Sequence, residues 1–208
     1  MTLIKICGIT NLADGLASVE AGADALGFNF YRPSPRYIAP RRAREIIDQL
    51  PDSVLTVGVF VNEGTPESVS KIAEEAGVGA LQLHGDESPE YCSFLVDSYV
   101  IKVLSVGGDF DVKLTGSYEV EAIMLDAKDH KLWGGTGQVI DWSIAREVRK
   151  LVPKLFLAGG LSRKNIEEAI ETVRPYAVDA CSALEDVPGR KNHEEVRAFI
   201  NAARRVKP

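Results

Sequence analysis

"LIKICGITNLADGLASVEAGADALGFNF", residues 3–30, is the stretch on which the fold turns. An apolar run from Leu3 to Ile9 gives way to a segment in which Leu12, Leu16, Val19 and Ala23 recur at helical spacing. Asn11 or Thr10 stands where a helix cap belongs, and a second apolar run begins near Ala25. Strand, helix and strand joined by short connections make a βα unit, whose strands pair in parallel. A parallel sheet either closes into a barrel or stays open and doubly wound. The open form would usually carry a glycine-rich fingerprint after its first strand, and "CGITNLAD" has one glycine. The unit therefore favours an α/β chain folded as a single (β/α)8 TIM barrel, expected to span residues 1–208 as one catalytic domain.

Outward from that unit the alternation runs to the end of the chain. "VLTVGVFV", "ALQLHG", "YVIKVLSV", "EAIMLD", "KLFLAGG" and "AVDACSA" read as further strands. Between them lie helical patterns, among them "PRRAREIIDQL" with Pro40 in its first turn and "TPESVSKIAEEAG" with Thr65 or Ser68 as cap. Strand entrances share a form, as in "AGADALGF", "AGVGALQLHG" and "RPYAVDACSA", which is a weak internal repeat of the βα unit. One segment breaks the pattern. "GGDFDVKLTGSYEV" carries Gly107, Gly108 and Gly116, so the fifth helix is expected to be degraded to a loop or one ragged turn.

Composition narrows the function classes. The 208 residues carry a formal net charge of -6 and no basic run, which removes the electrostatic footprint of a nucleic-acid binder. Neither a targeting leader nor an apolar stretch near the ~18 residues of a spanning helix is expected, so no membrane partner is predicted. Three cysteines, Cys7, Cys92 and Cys181, are an odd number without C-x-x-C spacing, and the histidines His84, His130 and His193 are scattered. That pattern suits reduced thiols in the cytoplasm rather than a disulfide framework or a zinc site. The sequence leaves a homodimer open.

In such a barrel the chemistry sits at the carboxyl ends of the strands. Side chains alternate along a strand, so Ile4 and Ile6 should meet the helices while Lys5 and Cys7 face the centre. By the same parity Gln82 and His84, Met124 and Asp126, and Ala177, Asp179 and Cys181 point inward. Four strands thus aim polar groups at one rim, which costs free energy unless something uses them. Bland alternatives stand beside each. A strand cysteine is more often buried filler than a reactive group, and Cys92 and Cys181 fit that description. A strand-end aspartate often caps the next helix, though Asp126 is followed by a long loop. Asp179 can equally be neutralised by Lys5 on the neighbouring strand. "LAGGLSRKN" places Gly159 and Gly160 between strand and helix, and "CSALE" offers Ser182 at the start of a short extra helix; together they suit phosphate. "GGTG" at 134–137 lacks the ending of a Walker motif and reads as a loop able to fold over a ligand.

Taken in order, "KICGIT", "GFNFYRPSPRYI", "VGVFVN", "LQLHGDE", "LD" before the "GGTG" loop, "LAGGL" and "VRPYAVDACSALE" resemble the phosphoribosylanthranilate isomerase family of tryptophan biosynthesis. The likeness covers essentially the whole chain. It implies a (β/α)8 barrel and an Amadori rearrangement of N-(5'-phosphoribosyl)anthranilate to 1-(2-carboxyphenylamino)-1-deoxyribulose 5-phosphate, without metal or organic cofactor. By motif match, Asp126 would be the general acid and Cys7 the general base. Arg36 would anchor the anthranilate carboxylate, His84 and Asp179 would contact or orient substrate, and Gly159, Gly160 and Ser182 would cradle the phosphate. Where the family typically has "SSGVE" this chain has "CSALE", and Ala183 in place of a glycine is unfavourable if the backbone there needs a positive φ.

Two alternatives remain at this point. Another phosphosugar-handling barrel is one: an epimerase would want convergent metal ligands, and a Schiff-base aldolase would want Lys5 as nucleophile. A non-catalytic phosphoribosyl-ligand binding protein is the other, although binding alone needs neither Cys7 nor Asp126.

Overall fold

The structure, a computed structural model, describes residues 1–127 and 140–206. Eight parallel strands close into a barrel in sequence order: β1 (Leu3–Cys7), β2 (Ala25–Asn29), β3 (Leu55–Phe60), β4 (Ala80–Leu83), β5 (Tyr99–Val106), β6 (Ala122–Ala127), β7 (Leu155–Leu157) and β8 (Ala177–Ala180). β8 returns to β1 with Asp179 opposite Lys5, which completes the closure. The (β/α)8 architecture expected from residues 3–30 is the one observed.

Helices α1 (Leu12–Ala21), α2 (Pro40–Ile47), α3 (Pro66–Ala76), α4 (Pro89–Ser93), α5 (Trp142–Leu151), α6 (Ile166–Val173) and α7 (His193–Arg205) alternate with the strands. Polar residues start most of them. Asn11, Thr65, Ser88, Asp141 and Asn192 each accept a hydrogen bond from a first-turn backbone N–H, which satisfies donors that have no partner inside the helix. Between β5 and β6 the glycine-broken segment is neither a loop nor an α-helix. It forms a 3-10 helix, Val112–Ser117, capped by Asp111. The tighter turn suits a run too short and too glycine-rich for i→i−4 bonding.

After β8 the short extra helix expected at Ser182 forms, and a hairpin that the sequence did not suggest follows it. A 3-10 helix, Ser182–Leu184, leads into an antiparallel hairpin of β9 (Glu185–Val187) and β10 (Arg190–Lys191) before α7 begins.

Parity divides the apolar residues into two layers. Ile4, Ile6, Leu81, Leu83, Ile123 and Leu125 pack in the cluster shared with the helices. Ala25, Val57, Ala80, Ile101, Met124, Phe156 and Ala177 fill the lower barrel interior. Above that plug the inward positions turn polar, with Lys5, Gln82, Asp126 and Asp179 all buried. No helix among the described residues is long and apolar enough to cross a membrane.

One buried ion pair ties the rim together outside the barrel interior. Lys102 of β5 donates from Nζ to Glu87 Oε2 and to the Gly85 carbonyl, both at 2.6 Å. Glu87 in turn accepts the backbone N–H groups of Gly85 at 2.9 Å and Asn62 at 2.8 Å, so one carboxylate organises the loops after β3 and β4. Removing one partner of such a pair leaves an uncompensated buried charge. Glu87→Ala should therefore lose about 3–5 kcal/mol of stability. Lys102→Met in the same chain should recover much of that, as read from urea midpoints.

Candidate active site

The floor of the barrel mouth is an ion pair. Lys5 Nζ donates to Asp179 Oδ1 at 2.7 Å, and the Lys5 side chain is wholly buried. Burial works against the ammonium, but the charges of Asp179 and Cys7 outweigh it and hold Lys5 protonated. Burial also pushes the Asp179 carboxyl up to about 6, against the pull of Lys5 and with added repulsion from Cys7 and Asp126. The sequence left an ion pair and a ligand role open for Asp179, and the ion pair is formed.

Cys7 sits one pleat above Lys5, at the end of β1, and is 8% exposed. A hydrogen bond from the Cys181 thiol pulls its pKa well below that of an ordinary thiol, and the charges of Lys5 and Lys191 pull the same way against the cost of burial. The same contact and burial push the Cys181 thiol well above the ordinary value. Room for the sulfur comes from β2. A Cβ on Gly27 would stand 2.7 Å from Cys7 Sγ and 3.1 Å from Lys5 Nζ.

Asp126 enters from β6, three strands from β1 around the closed ring. Its Oδ1 accepts the N–H of Ala127 at 2.8 Å, and its Oδ2 lies 3.2 Å from His84 Nε2. His84 Nδ1 lies 3.2 Å from the Gln82 amide nitrogen. An amide nitrogen only donates, so Nδ1 accepts and Nε2 carries the hydrogen that faces Asp126. Gln82, His84 and Asp126 thus form a chain of contacts that orients the carboxyl. The sequence placed His84 on the substrate; the geometry places it first on Asp126.

Arg36, in the loop after β2, donates from Nε and Nη2 to the Glu185 carboxylate, the latter at 2.7 Å. The guanidinium has a second two-donor edge, Nη1 with Nη2, which remains geometrically distinct from the one Glu185 holds. Glu185 also accepts from Lys191 Nζ at 2.9 Å and the Gly189 N–H at 3.2 Å. Burial would raise its pKa, but Arg36 and Lys191 outweigh burial and hold it below the usual carboxylate value. The glycine after Cys7 serves this cluster. Gly8 has φ +81°, and a Cβ there would stand 2.8 Å from Arg36 Cδ and 3.0 Å from Cys181 Sγ. Glu185, Lys191 and Cys181 were not read as site residues from sequence. The Pro188–Gly189 pair was the available signal for the hairpin that delivers them.

Gly159 and Gly160 follow β7 with φ +84° and +62°. A Cβ on Gly159 would stand 2.9 Å from the Ala127 backbone nitrogen, so the turn needs a bare backbone. Asn165 braces it, donating to the Gly160 carbonyl at 3.0 Å and accepting the Ser162 N–H at 2.8 Å. Ser182 opens the 3-10 helix that follows β8. Ala183 lies within that helix, and the non-glycine residues with positive φ among those described are Asn62 and Arg174, so the alanine is accommodated. His130 and the "GGTG" segment at 134–137 lie outside the described residues. Among the described residues, no group of three or more His, Cys, Asp or Glu side chains is placed to hold a metal ion.

Comparison with known proteins agrees with this arrangement. The family model for N-(5'-phosphoribosyl)anthranilate (PRA) isomerase matches residues 4–202. The chain belongs to the phosphoribosylanthranilate isomerase family. An N-(5'-phosphoribosyl)anthranilate isomerase of Thermotoga neapolitana is 49% identical over 98% of this chain and 99% of its own length. One from Geobacter sulfurreducens is 47% identical over 98% of this chain and 99% of its own. Among solved structures, the Thermus thermophilus phosphoribosyl anthranilate isomerase superposes with a TM-score of 0.91 at 36% identity, over 99% of this chain and 100% of that one. A phosphoribosyl anthranilate isomerase in complex with reduced 1-(o-carboxyphenylamino)-1-deoxyribulose 5-phosphate superposes with a TM-score of 0.88 at 42% identity, over 98% and 99%.

The Glu185 cluster has a pH signature. Its folded pKa is depressed, so its contribution is present above the unfolded value of about 4.3 and is lost as pH falls through the folded value. Wild type should be more stable than Glu185→Gln at pH 7. That gap should close as pH drops below about 4, measured by urea midpoints across the range.

Proposed function

We propose that this chain converts N-(5'-phosphoribosyl)anthranilate to 1-(2-carboxyphenylamino)-1-deoxyribulose 5-phosphate in tryptophan biosynthesis, with Cys7 as general base and Asp126 as general acid. The observation that carries this is the meeting, at one barrel mouth, of a cysteine packed over the buried Lys5 ammonium with a carboxyl oriented by His84 from three strands away.

In this reading Asp126 protonates the furanose ring oxygen, and the ring opens to an iminium ion. That cation acidifies the C2' hydrogen, which Cys7 removes. The resulting enolamine tautomerises to the ketone. Asp126 must hold its proton in the substrate complex, and the Gln82–His84 chain keeps its carboxyl aimed. Arg36 takes the anthranilate carboxylate on its second edge, preset by Glu185. Gly159, Gly160 and Ser182 take the phosphate on backbone N–H groups and a hydroxyl. Asp179 acts through Lys5 beneath Cys7. The steps use no metal or organic cofactor. The relative solved with a reduced product analogue supports this choice of ligand. The Thermotoga maritima relative is described as a dimeric enzyme, which supports a homodimer here.

The aldolase reading loses its nucleophile, because Lys5 is kept charged by Asp179 and a Schiff base needs the neutral amine.

The test is to generate the unstable substrate in place and follow loss of its anthranilate fluorescence. Cys7→Ser and Asp126→Asn should each lower kcat by roughly 10²–10⁴-fold, the range for a removed acid or base. Turnover like wild type in either variant removes that residue from its role. Arg36→Met should act mainly on KM.

A further inference from the structure

His84 lies one residue past the end of β4, where a side chain keeps its direction only if the loop backbone is held. What holds it stands behind the barrel wall. Lys102 lies on β5 between Ile101 and Val103, which fill the barrel interior, so its own side chain runs toward the helices and is 1% exposed. The register sets it opposite Leu83. From there Nζ donates to the Gly85 carbonyl at 2.6 Å and to the Leu83 carbonyl at 3.4 Å, the two carbonyls that flank His84. Glu87 pairs with the ammonium at 2.6 Å and accepts the Gly85 N–H at 2.9 Å. The N–H of His84 itself donates to the Phe60 carbonyl at 2.8 Å.

We propose that Lys102 and Glu87 are positioning residues for the reaction: they fix the backbone on both sides of His84 and, through its ring, set the direction of the Asp126 carboxyl. This rests on the reading of Asp126 as the general acid.

Stability alone does not account for the pair. A buried ion pair adds little over two apolar side chains of similar bulk, and the neighbouring layer is built from Leu83 and Leu104. Apolar side chains cannot grip carbonyls 83 and 85. The adjoining loop serves the same end. The Asn62 N–H donates to Glu87 Oε1 at 2.8 Å, and Asn62 Oδ1 accepts the Asp86 N–H at 2.7 Å. A Cβ on Gly85 would stand 2.7 Å from the Asn62 backbone nitrogen, so the loops after β3 and β4 meet backbone to backbone. At the other end of the chain of contacts, His84 Nε2 faces Asp126 Oδ2 at 3.2 Å while Nδ1 is held by Gln82. A shift of the loop would carry the ring away from Asp126, and a misplacement of about 1 Å can cost about 100-fold in rate.

The experiment compares wild type with Lys102→Met, Glu87→Ala and the double variant. The double variant carries no unpaired buried charge, so it should fold well, yet it lacks the grip on the two carbonyls. Circular dichroism gives the folded fraction, and kcat and KM are measured on substrate generated in place. Proton–nitrogen NMR reads the His84 ring, assigned with His84→Asn. Per folded enzyme the double variant should lose about 10- to 100-fold in kcat with KM changed by less than about two-fold, because Arg36 and the Gly159–Gly160 turn are untouched. Its His84 should no longer hold the single tautomer with hydrogen on Nε2. In an Asp126→Asn background the same two substitutions should have little further effect. Wild-type kcat together with a wild-type His84 spectrum would overturn the proposal, and so would a fully additive loss in the Asp126→Asn background. If the His84 spectrum changes while kcat does not, the hold on His84 stands and its part in the reaction falls. Wild-type turnover in Asp126→Asn alone would instead remove the acid reading, and the spectrum would still decide whether the pair holds His84.

Discussion

The site depends on a charge buried where a barrel closes. Sealing the sheet sets β8 against β1 and brings Lys5 against Asp179, residues 174 positions apart, at 2.7 Å. A lone ammonium in that place would be strongly unfavourable, and the pair as a whole adds little net stability once both ions have lost their water. Its worth lies above it. Dehydrated and fixed, the Lys5 ammonium acts on the Cys7 sulfur through a medium that screens poorly, so a modest geometry has a large effect on which form of the thiol is present. Had the barrel stayed an open sheet, β1 and β8 would be separate edges and the pair would not form.

The chain has a formal charge of -6, yet the mouth gathers Lys5, Arg36 and Lys191. Each already has a carboxylate partner in Asp179 or Glu185. The cations at the mouth are therefore not a loose positive field that attracts any anion. They are oriented donors: Lys5 and Lys191 are buried against their partners, and Arg36 has a second edge beside the one that Glu185 holds. A phosphate would then be met by uncharged backbone at Gly159 and Gly160, where the need for close approach excludes side chains.

Most of the fold was legible because it is periodic. Parity alone put Lys5, Cys7, His84, Asp126 and Asp179 inside, and the two apolar clusters follow the same rule. Single-glycine "CGITNLAD" was enough to prefer closure to an open sheet. Partnerships were harder to read, since hydrogen bonds are set by tertiary distance and not by spacing. His84 was read as contacting or orienting substrate, and its contact with Asp126 was not foreseen; Arg36 was read as a carboxylate anchor, and its pairing with Glu185 was not foreseen. Cys181 was set aside as packing, and its contacts with Glu185 and Lys191 depend on a hairpin that the sequence did not suggest. The hairpin escaped notice because its strands are too short to show alternation, leaving a Pro–Gly pair as the signal.

That hairpin bears on how the site is kept in order. Its Lys191 N–H donates to Asp14 Oδ2 on α1 at 2.9 Å, while its Glu185 carboxylate holds Arg36 from the loop after β2. The C-terminal end of the barrel thus clamps the first two βα units, which are also the units that carry Cys7 and Arg36. Loops at a barrel mouth are free to drift, because the strands fix only their ends. Here an ionic bridge of long sequence separation removes that freedom at the one side of the mouth where a sulfur and a guanidinium must hold a fixed separation. Gly8 makes the bridge sterically feasible: a methyl group at that position would intrude on Arg36 and Cys181 together. The placements of Gly8, next to Cys7, and of Arg36 are therefore coupled through the hairpin, and a change in the hairpin should disturb both.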